Sequence, residues 1–156
     1  MPKTAIPDLQ NEVPKPHPVL GCLFGAYDYS IIGEPGGLTQ FGVHIEVLRP
    51  GSKSSLRHWH ETEDEMIYML AGEVVLVEDH ETLLCKGDFA RWPAGIPTTH
   101  YIENRQDADA QYLTIGTRNP TDTVHYPDHK LVTHKDSAAR QHGQSDGSPY
   151  PERTLK

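Results

Sequence analysis

Residues 51–72 read GSKSSLRHWHETEDEMIYMLAG, and the spacing of His58, His60 and Glu65 within them decides how the chain is read. His58 and His60 are two residues apart. On an extended strand side chains i and i+2 share a face, so both imidazoles can reach one point in space. A polar connection follows, Glu61 to Asp64, and Glu65 then opens the apolar run Met66 to Leu70, which reads as the neighbouring strand. A carboxylate at its start can join the two imidazoles. Glu63 and Asp64 compete with it for that role, but their place in the connection turns them toward water.

Downstream, residues 87–104, GDFARWPAGIPTTHYIEN, set His100 on another strand-like segment just after a Pro/Gly turn. That supplies a third imidazole. Ten histidines in one chain make a chance His-x-His pair plausible. The glycines and the acid spaced around this pair, and the second spaced stretch, argue instead for a metal site.

The two stretches resemble the two motifs of the cupin superfamily. Gly51, His58, His60, Glu65 and Gly72 fall on the first; Gly87, Pro93, Gly95, His100 and Asn104 fall on the second. One departure stands out: four residues, Ile96 to Thr99, separate Gly95 from His100, a longer turn than the family's. The resemblance covers residues 40–117. It implies an all-β, double-stranded β-helix barrel, jelly-roll-like, of the short single-domain bacterial type called the cupin 2 conserved barrel. It also implies a metal held by His58, His60, Glu65 and His100, and a homodimer.

The rest of the chain fits one all-β domain. Its 156 residues suffice for a single core, and the low apolar fraction of 36% reflects a Pro-rich start and a polar end. Five prolines in the first eighteen residues make residues 1–20 an extended arm. Residues 21–117 carry short alternating runs broken by turn residues. CLFGAYDYSII reads as a first strand region, and Phe41 to Val47 alternates apolar with Gly42, His44 and Glu46. EVVLVEDHETLLCKGD reads as a hairpin turning near Asp79 and His80. Residues 118–136 are expected as a C-terminal arm or edge strand; 137–156, polar and rich in Gly, Ser and Gln, as a flexible tail. His125, His129 and His134 invite a second metal reading, but spacings of four and five in a Pro-containing stretch do not converge on one face. A HYPDH-type element after the barrel also resembles a group of short bacterial cupins loosely called sugar-phosphate-isomerase-like.

A formal charge of −8 without basic runs argues against nucleic acid and anionic membrane surfaces as partners. The start shows no apolar stretch behind a positive leader, and no later run is long enough to span a bilayer, so a cytoplasmic location is expected. Cys22 and Cys85, far apart and outside any framework pattern, are expected as buried thiols in a reducing compartment.

Three neutral imidazoles and one carboxylate on a divalent ion leave a net charge of about +1, and a six-coordinate ion keeps two positions open. This N/O donor set suits Fe, Mn, Ni, Co, Cu or Zn alike. Strand parity places Leu56 beside His58 and His60, Ile67 and Met69 beside Glu65, and Ile102 and Asn104 beside His100. Arg57 and Trp59 point away. A mostly apolar cavity follows, which speaks against phosphate, whose binding calls for Arg or Lys nearby. Tyr112, Glu46 and His44 are the candidate acid/base residues, with the inward face of their strands left open. A metal-dependent enzyme on a small organic substrate is the favoured reading, as a dioxygenase or as an isomerase or lyase using Lewis acidity. A non-catalytic, metal-dependent small-ligand binding protein is the alternative.

Overall fold

In residues 41–48 apolar Val43, Ile45 and Val47 alternate with Gly42, His44 and Glu46, and in the computed structural model they form the long strand β3, Phe41–Leu48. The structure describes residues 3, 5–12, 17, 19–21, 27–137 and 139–150. Before β3 come β1, Gln10–Glu12, and β2, Tyr27–Ile31; Cys22, and the expected strand region from Cys22 to Ala26, lie outside the described residues. After β3 follow β4, Trp59–His60, β5, Glu65–Ala71, β6, Glu73–Val77, β7, Glu81–Cys85, β8, Phe89–Trp92, β9, Tyr101–Glu103, and β10, Ala110–Thr117. The last three are β11, Asp122–Tyr126, β12, Leu131–Lys135, and β13, Arg140–Gln144.

A six-stranded sheet runs β1-β2-β3-β10-β5-β8, and two smaller sheets run β7-β6-β9 and β13-β12-β11-β4. The small sheets meet at an isolated antiparallel bridge between His58 and His100, closed by backbone bonds of 3.2 and 2.9 Å. Two of the three expected imidazole ligands therefore sit at a sheet junction. The chain is an all-β double-stranded barrel, as its motifs imply.

Register fixes which side chains enter the lumen. Glu46 lies opposite Tyr112, His44 opposite Thr114, and Thr114 in turn opposite Ile67 of β5. Leu48, Met69, Val74, Leu76, Leu84, Ala110 and Tyr112 pack into the buried core, joined by Ile67, Trp92 and Ile102 where the core meets the site. Gly72 makes the β5–β6 turn at φ +74°. A Cβ there would lie 2.7 Å from the Asp109 carbonyl oxygen and 2.9 Å from the Ala110 Cα, so only glycine fits.

Three expectations change. The polar stretch from residue 137 is not a tail throughout: β13 pairs along its whole length with β12, and Tyr150 donates its hydroxyl to the His129 carbonyl. Its side chains gave no apolar alternation because β13 is held by ladder bonds at a sheet edge. Residues 122–126 likewise continue the barrel, since β11 pairs with β4 through Val124–His60 and His125–Trp59. Cys85 is a half-buried free thiol rather than a buried one, because it sits on the outer hairpin β6–β7.

Candidate metal centre and its cavities

The metal-binding candidates meet where β4, β5 and the start of β9 converge. His58, Glu65 and His100 offer ligand atoms that all lie within 4.8 Å of one another. One carboxylate oxygen of Glu65 stands 3.1 Å from His100 Nε2 and 3.7 Å from the Nε2 of both His58 and His60. Donors at ~2.0–2.2 Å from a shared ion sit roughly 3.0–3.5 Å apart, so the separations among His58, Glu65 and His100 suit a divalent cation between them, while His60 clusters with Glu63 and Asp122 and reaches the same centre through its Nε2 contact with Glu65.

The opposite ring nitrogens show the same design. His58 Nδ1 donates to the Leu56 carbonyl at 2.8 Å, His100 Nδ1 to the Thr98 carbonyl at 3.2 Å, and His60 Nδ1 to the Asp122 carboxylate at 2.6 Å. Carbonyls and carboxylates only accept, so each Nδ1 carries a proton and each Nε2 is aimed at Glu65. Three Nε2 atoms facing a carboxylate suit a positive charge among them, supplied by protons on Nε2 in the metal-free centre or by a cation bound to their lone pairs. The long turn Ile96 to Thr99 fits this picture, since Thr98 within it orients the His100 ring.

Electrostatics around the ligands are strongly coupled. Burial pushes the Glu65 carboxyl up, but hydrogen bonds and charge from His100 and His58 override it and hold it well below the usual carboxylate range. For Asp122 burial likewise acts upward, and the bonds from His60 and from the Thr62 N–H and hydroxyl bring it down to about 2. His60 is raised: desolvation lowers it, and Asp122 followed by Glu65 more than compensate.

Around this centre lie two cavities that share Glu65 and Thr114. The first, about 180 Å³, is lined by Glu46, Tyr112, Ser54, Ser55, Ile67 and Trp92 among others, together with His58 and His100. Tyr112 is 1% exposed and donates its hydroxyl to Glu46 at 2.8 Å. Burial raises the Glu46 carboxyl, against the opposing bonds from Tyr112 and Thr114, and burial followed by the Glu46 charge raises the Tyr112 phenol. His44 is turned into the second cavity, about 360 Å³, with His60, Glu63, Arg118, Lys135 and Arg140.

Several expectations are corrected here. The first cavity is not mostly apolar, because β3 and β10 contribute Glu46, Tyr112 and Thr114 and the loop before His58 contributes Ser54 and Ser55. Ile67 and Ile102 do line it. Leu56 lines a neighbouring cavity behind His58, and Met69 is in the core. Asn104 is fully buried and donates to the Leu48 and Ala108 carbonyls, which makes it a structural residue. Cations are not absent either: Arg118, Lys135 and Arg140 reach the second cavity from the end of β10, from β12 and from β13 in that order. Glu63 is half-buried and paired with Lys135 at 2.6 Å rather than facing water. Arg57 points away, as its parity requires, and pairs with Asp79.

The sequence reading missed Asp122, Tyr126 and Trp92. Asp122 and Tyr126 lie on one face of β11, the first bonded to His60 and the second stacked on His58 at 5.8 Å between ring centroids. Trp92 stacks on His100 at 3.6 Å. The alternation Asp122, Val124, Tyr126 was a usable signal, but nothing local said that this face meets β4. Among the described residues His125, His129 and His134 form no metal group; His125 stacks on Trp59 and bonds to Glu61.

A model of the cupin domain family matches residues 44–116. A solved structure from Silicibacter pomeroyi, named as a sugar phosphate isomerase from a cupin superfamily, is 38% identical, superposes with a TM-score of 0.88, and the alignment covers 96% of this chain and 97% of that one. The chain belongs to the cupin superfamily. This cupin is also similar to a candidate sugar phosphate isomerase from Acidithiobacillus ferrooxidans, at 25% identity and a TM-score of 0.75 over 84% of this chain and 81% of the other. The polyketide cyclase RemF of Streptomyces resistomycificus, 20% identical with a TM-score of 0.60 over 75% of this chain and 79% of that one, shares the fold. No curated protein is significantly similar in sequence. Among the described residues no helix is long and apolar enough to cross a membrane.

Proposed function

We propose that this cupin is a metal-dependent isomerase acting on a small substrate that carries neighbouring hydroxyl and carbonyl groups. The Tyr112–Glu46 pair carries the reading: an acid and a base bonded to each other, lining the same cavity as the metal-binding candidates. His58, His60, Glu65 and His100 would hold a divalent ion, which would supply Lewis acidity to a carbonyl or hydroxyl oxygen. Glu46, its basicity raised by burial, takes the proton from the carbon beside the carbonyl and returns it to the neighbouring carbon. Tyr112 orients the carboxylate and gives or regains a proton at the substrate oxygen. One base suffices, because a single carboxylate reaches both carbons, and the proton it holds between the two steps exchanges in part with solvent. Ser54, Ser55 and Thr114 offer hydrogen bonds to further hydroxyls, while Trp92, Ile67 and Ile102 keep water from the reacting carbons. The names of the two sugar phosphate isomerase relatives support the same substrate chemistry.

The test is proton exchange from deuterated water into a panel of aldose and ketose phosphates, followed by NMR with the metal-loaded protein. Tyr112→Phe and Glu46→Gln are expected to keep their metal and lose exchange by about 10²-fold or more. Substrate-dependent oxygen uptake without exchange would refute the isomerase in favour of a dioxygenase. Ligand binding without exchange or oxygen uptake would leave a binding protein.

A further inference from the structure

We propose that the second cavity is the anion-binding arm of the site, where Arg140, Arg118 and the His44 Nε2 hold a phosphate or carboxylate group of the substrate. The proposal rests on the isomerase reading only for what happens at the other end of that substrate.

The two cavities join at Glu65 and Thr114, which line both. Along β3 the inward residues are Gly42, His44 and Glu46 in turn, and each step of two residues advances about 7 Å. A substrate reaching from Glu46 to His44 and beyond is therefore an extended chain of a few carbons. Its reactive end meets the Tyr112–Glu46 pair, and its far end enters the cationic cavity.

Three carboxylates and three permanent cations line this cavity, equal in number but not paired one to one. Glu63 is neutralised by Lys135 at 2.6 Å, Glu65 faces three imidazoles, and the Asp64 carboxylate accepts the Ala94 N–H at 2.7 Å. On the cationic side, Arg118 gives an Nη2 bond to Glu34, leaving most of its N–H groups for another partner. The Arg140 side chain makes no hydrogen bond or ion pair among the described residues; it lines this cavity and the neighbouring one behind His58. His44 Nε2 is a buried nitrogen with no hydrogen-bond partner. With no partner among the described residues, Nε2 is free to carry a ring N–H and give it to a ligand oxygen in the cavity; burial, followed by the charge of Arg118, lowers the His44 pKa.

Gly42 shows that the arrangement is built. Its missing side chain leaves room for Arg118: a Cβ would lie 3.2 Å from the Arg118 Nε and 3.3 Å from its Nη2. The guanidinium thus rests over bare backbone at the mouth of the cavity. An unpartnered arginine, an arginine with spare donors and a buried donor nitrogen around one cavity make a site for an oxyanion.

The experiment is calorimetric titration of chelator-stripped and metal-loaded protein with inorganic phosphate, acetate and glycerol. Phosphate or acetate is expected to bind both forms saturably, more weakly as salt rises, and glycerol not at all. Whichever anion binds tighter identifies the group. Arg140→Ala, an exposed position whose replacement spares the core, is expected to weaken the anion about tenfold or more, and Gly42→Ala to weaken it through Arg118. The proposal is overturned if neither form binds an anion, if binding needs the metal, or if Arg140→Ala leaves affinity unchanged. Anion binding without isomerisation would remove the isomerase reading alone. Isomerisation with a KM indifferent to Arg140→Ala and to phosphorylation of the substrate would remove this proposal alone.

Discussion

Replacing Asp122 with asparagine tests whether the metal centre depends on the strand behind it. The Asp122 side chain is fully buried and lies 2.6 Å from His60 Nδ1. Its carboxyl stands at about 2 instead of 3.8, which corresponds to about 2.4 kcal/mol in favour of the ionised form. That sum is shared between His60 and the two donors of Thr62, so roughly half belongs to the imidazole. Asparagine can still accept from Nδ1 but without charge, so His60 becomes a poorer donor to a cation. Partners of this kind are worth about 10- to 100-fold in metal affinity, and Asp122→Asn is expected at the lower end, about tenfold. Competition with a chromogenic chelator for zinc or manganese at neutral pH measures it. Thr62→Val, which removes the Thr62 hydroxyl bond to Asp122 but leaves His60 untouched, should stay near wild type. The pH dependence has a definite sign. A depressed carboxyl stabilises the fold above its unfolded pKa and loses that contribution as pH falls toward 2, so Asp122→Asn flattens the stability loss of metal-free protein between about pH 4 and 2. An asparagine variant binding metal within twofold of wild type would refute the reasoning.

Glu46 gives the opposite sign. Its folded pKa is raised, so its stabilising contribution is complete below the unfolded value and lost as pH rises through the folded one. Glu46→Gln is therefore expected to melt higher than wild type at neutral pH and to lose that advantage near pH 4; equal melting temperatures throughout would mean that the carboxylate is well solvated. Gly72→Ala is expected to destabilise the protein by roughly 1–3 kcal/mol in urea unfolding, since it combines φ +74° with a contact under 3 Å. The expected homodimer has a candidate surface on the outside of the six-stranded sheet, where Tyr68 and Phe89 stand opposite each other and are 39% and 55% exposed. Sedimentation should find a dimer that Phe89→Glu splits; a wild-type monomer at micromolar concentration would end that expectation.

The barrel and the candidate ligands were legible because both are written in short-range spacing. His58 and His60 share a strand face whatever the rest of the chain does, Glu65 starts the next strand, and Gly51, Gly72, Gly87 and Gly95 all take the positive φ that turns need. Alternation in β3 gave an apolar and a polar face, but period alone could not say which one looked inward. The register against β10 decided that, by setting Glu46 opposite Tyr112 and both beside the ligands.

What the sequence left open depends on pairing between distant segments. Asp122 and Tyr126 support His60 and His58 only because β11 lies against β4, some sixty residues earlier in the chain. Arg140 reaches the site from a stretch whose polarity resembled a tail, since an edge strand is stabilised by backbone bonds that leave no mark in side-chain hydrophobicity. The sequence by itself determined the strand faces, the turns and the donor chemistry of the candidate metal centre, all properties of residues within a few positions of one another. Only the tertiary structure decided which acid meets which base and where the cations gather, because those distances are set by how the sheets close.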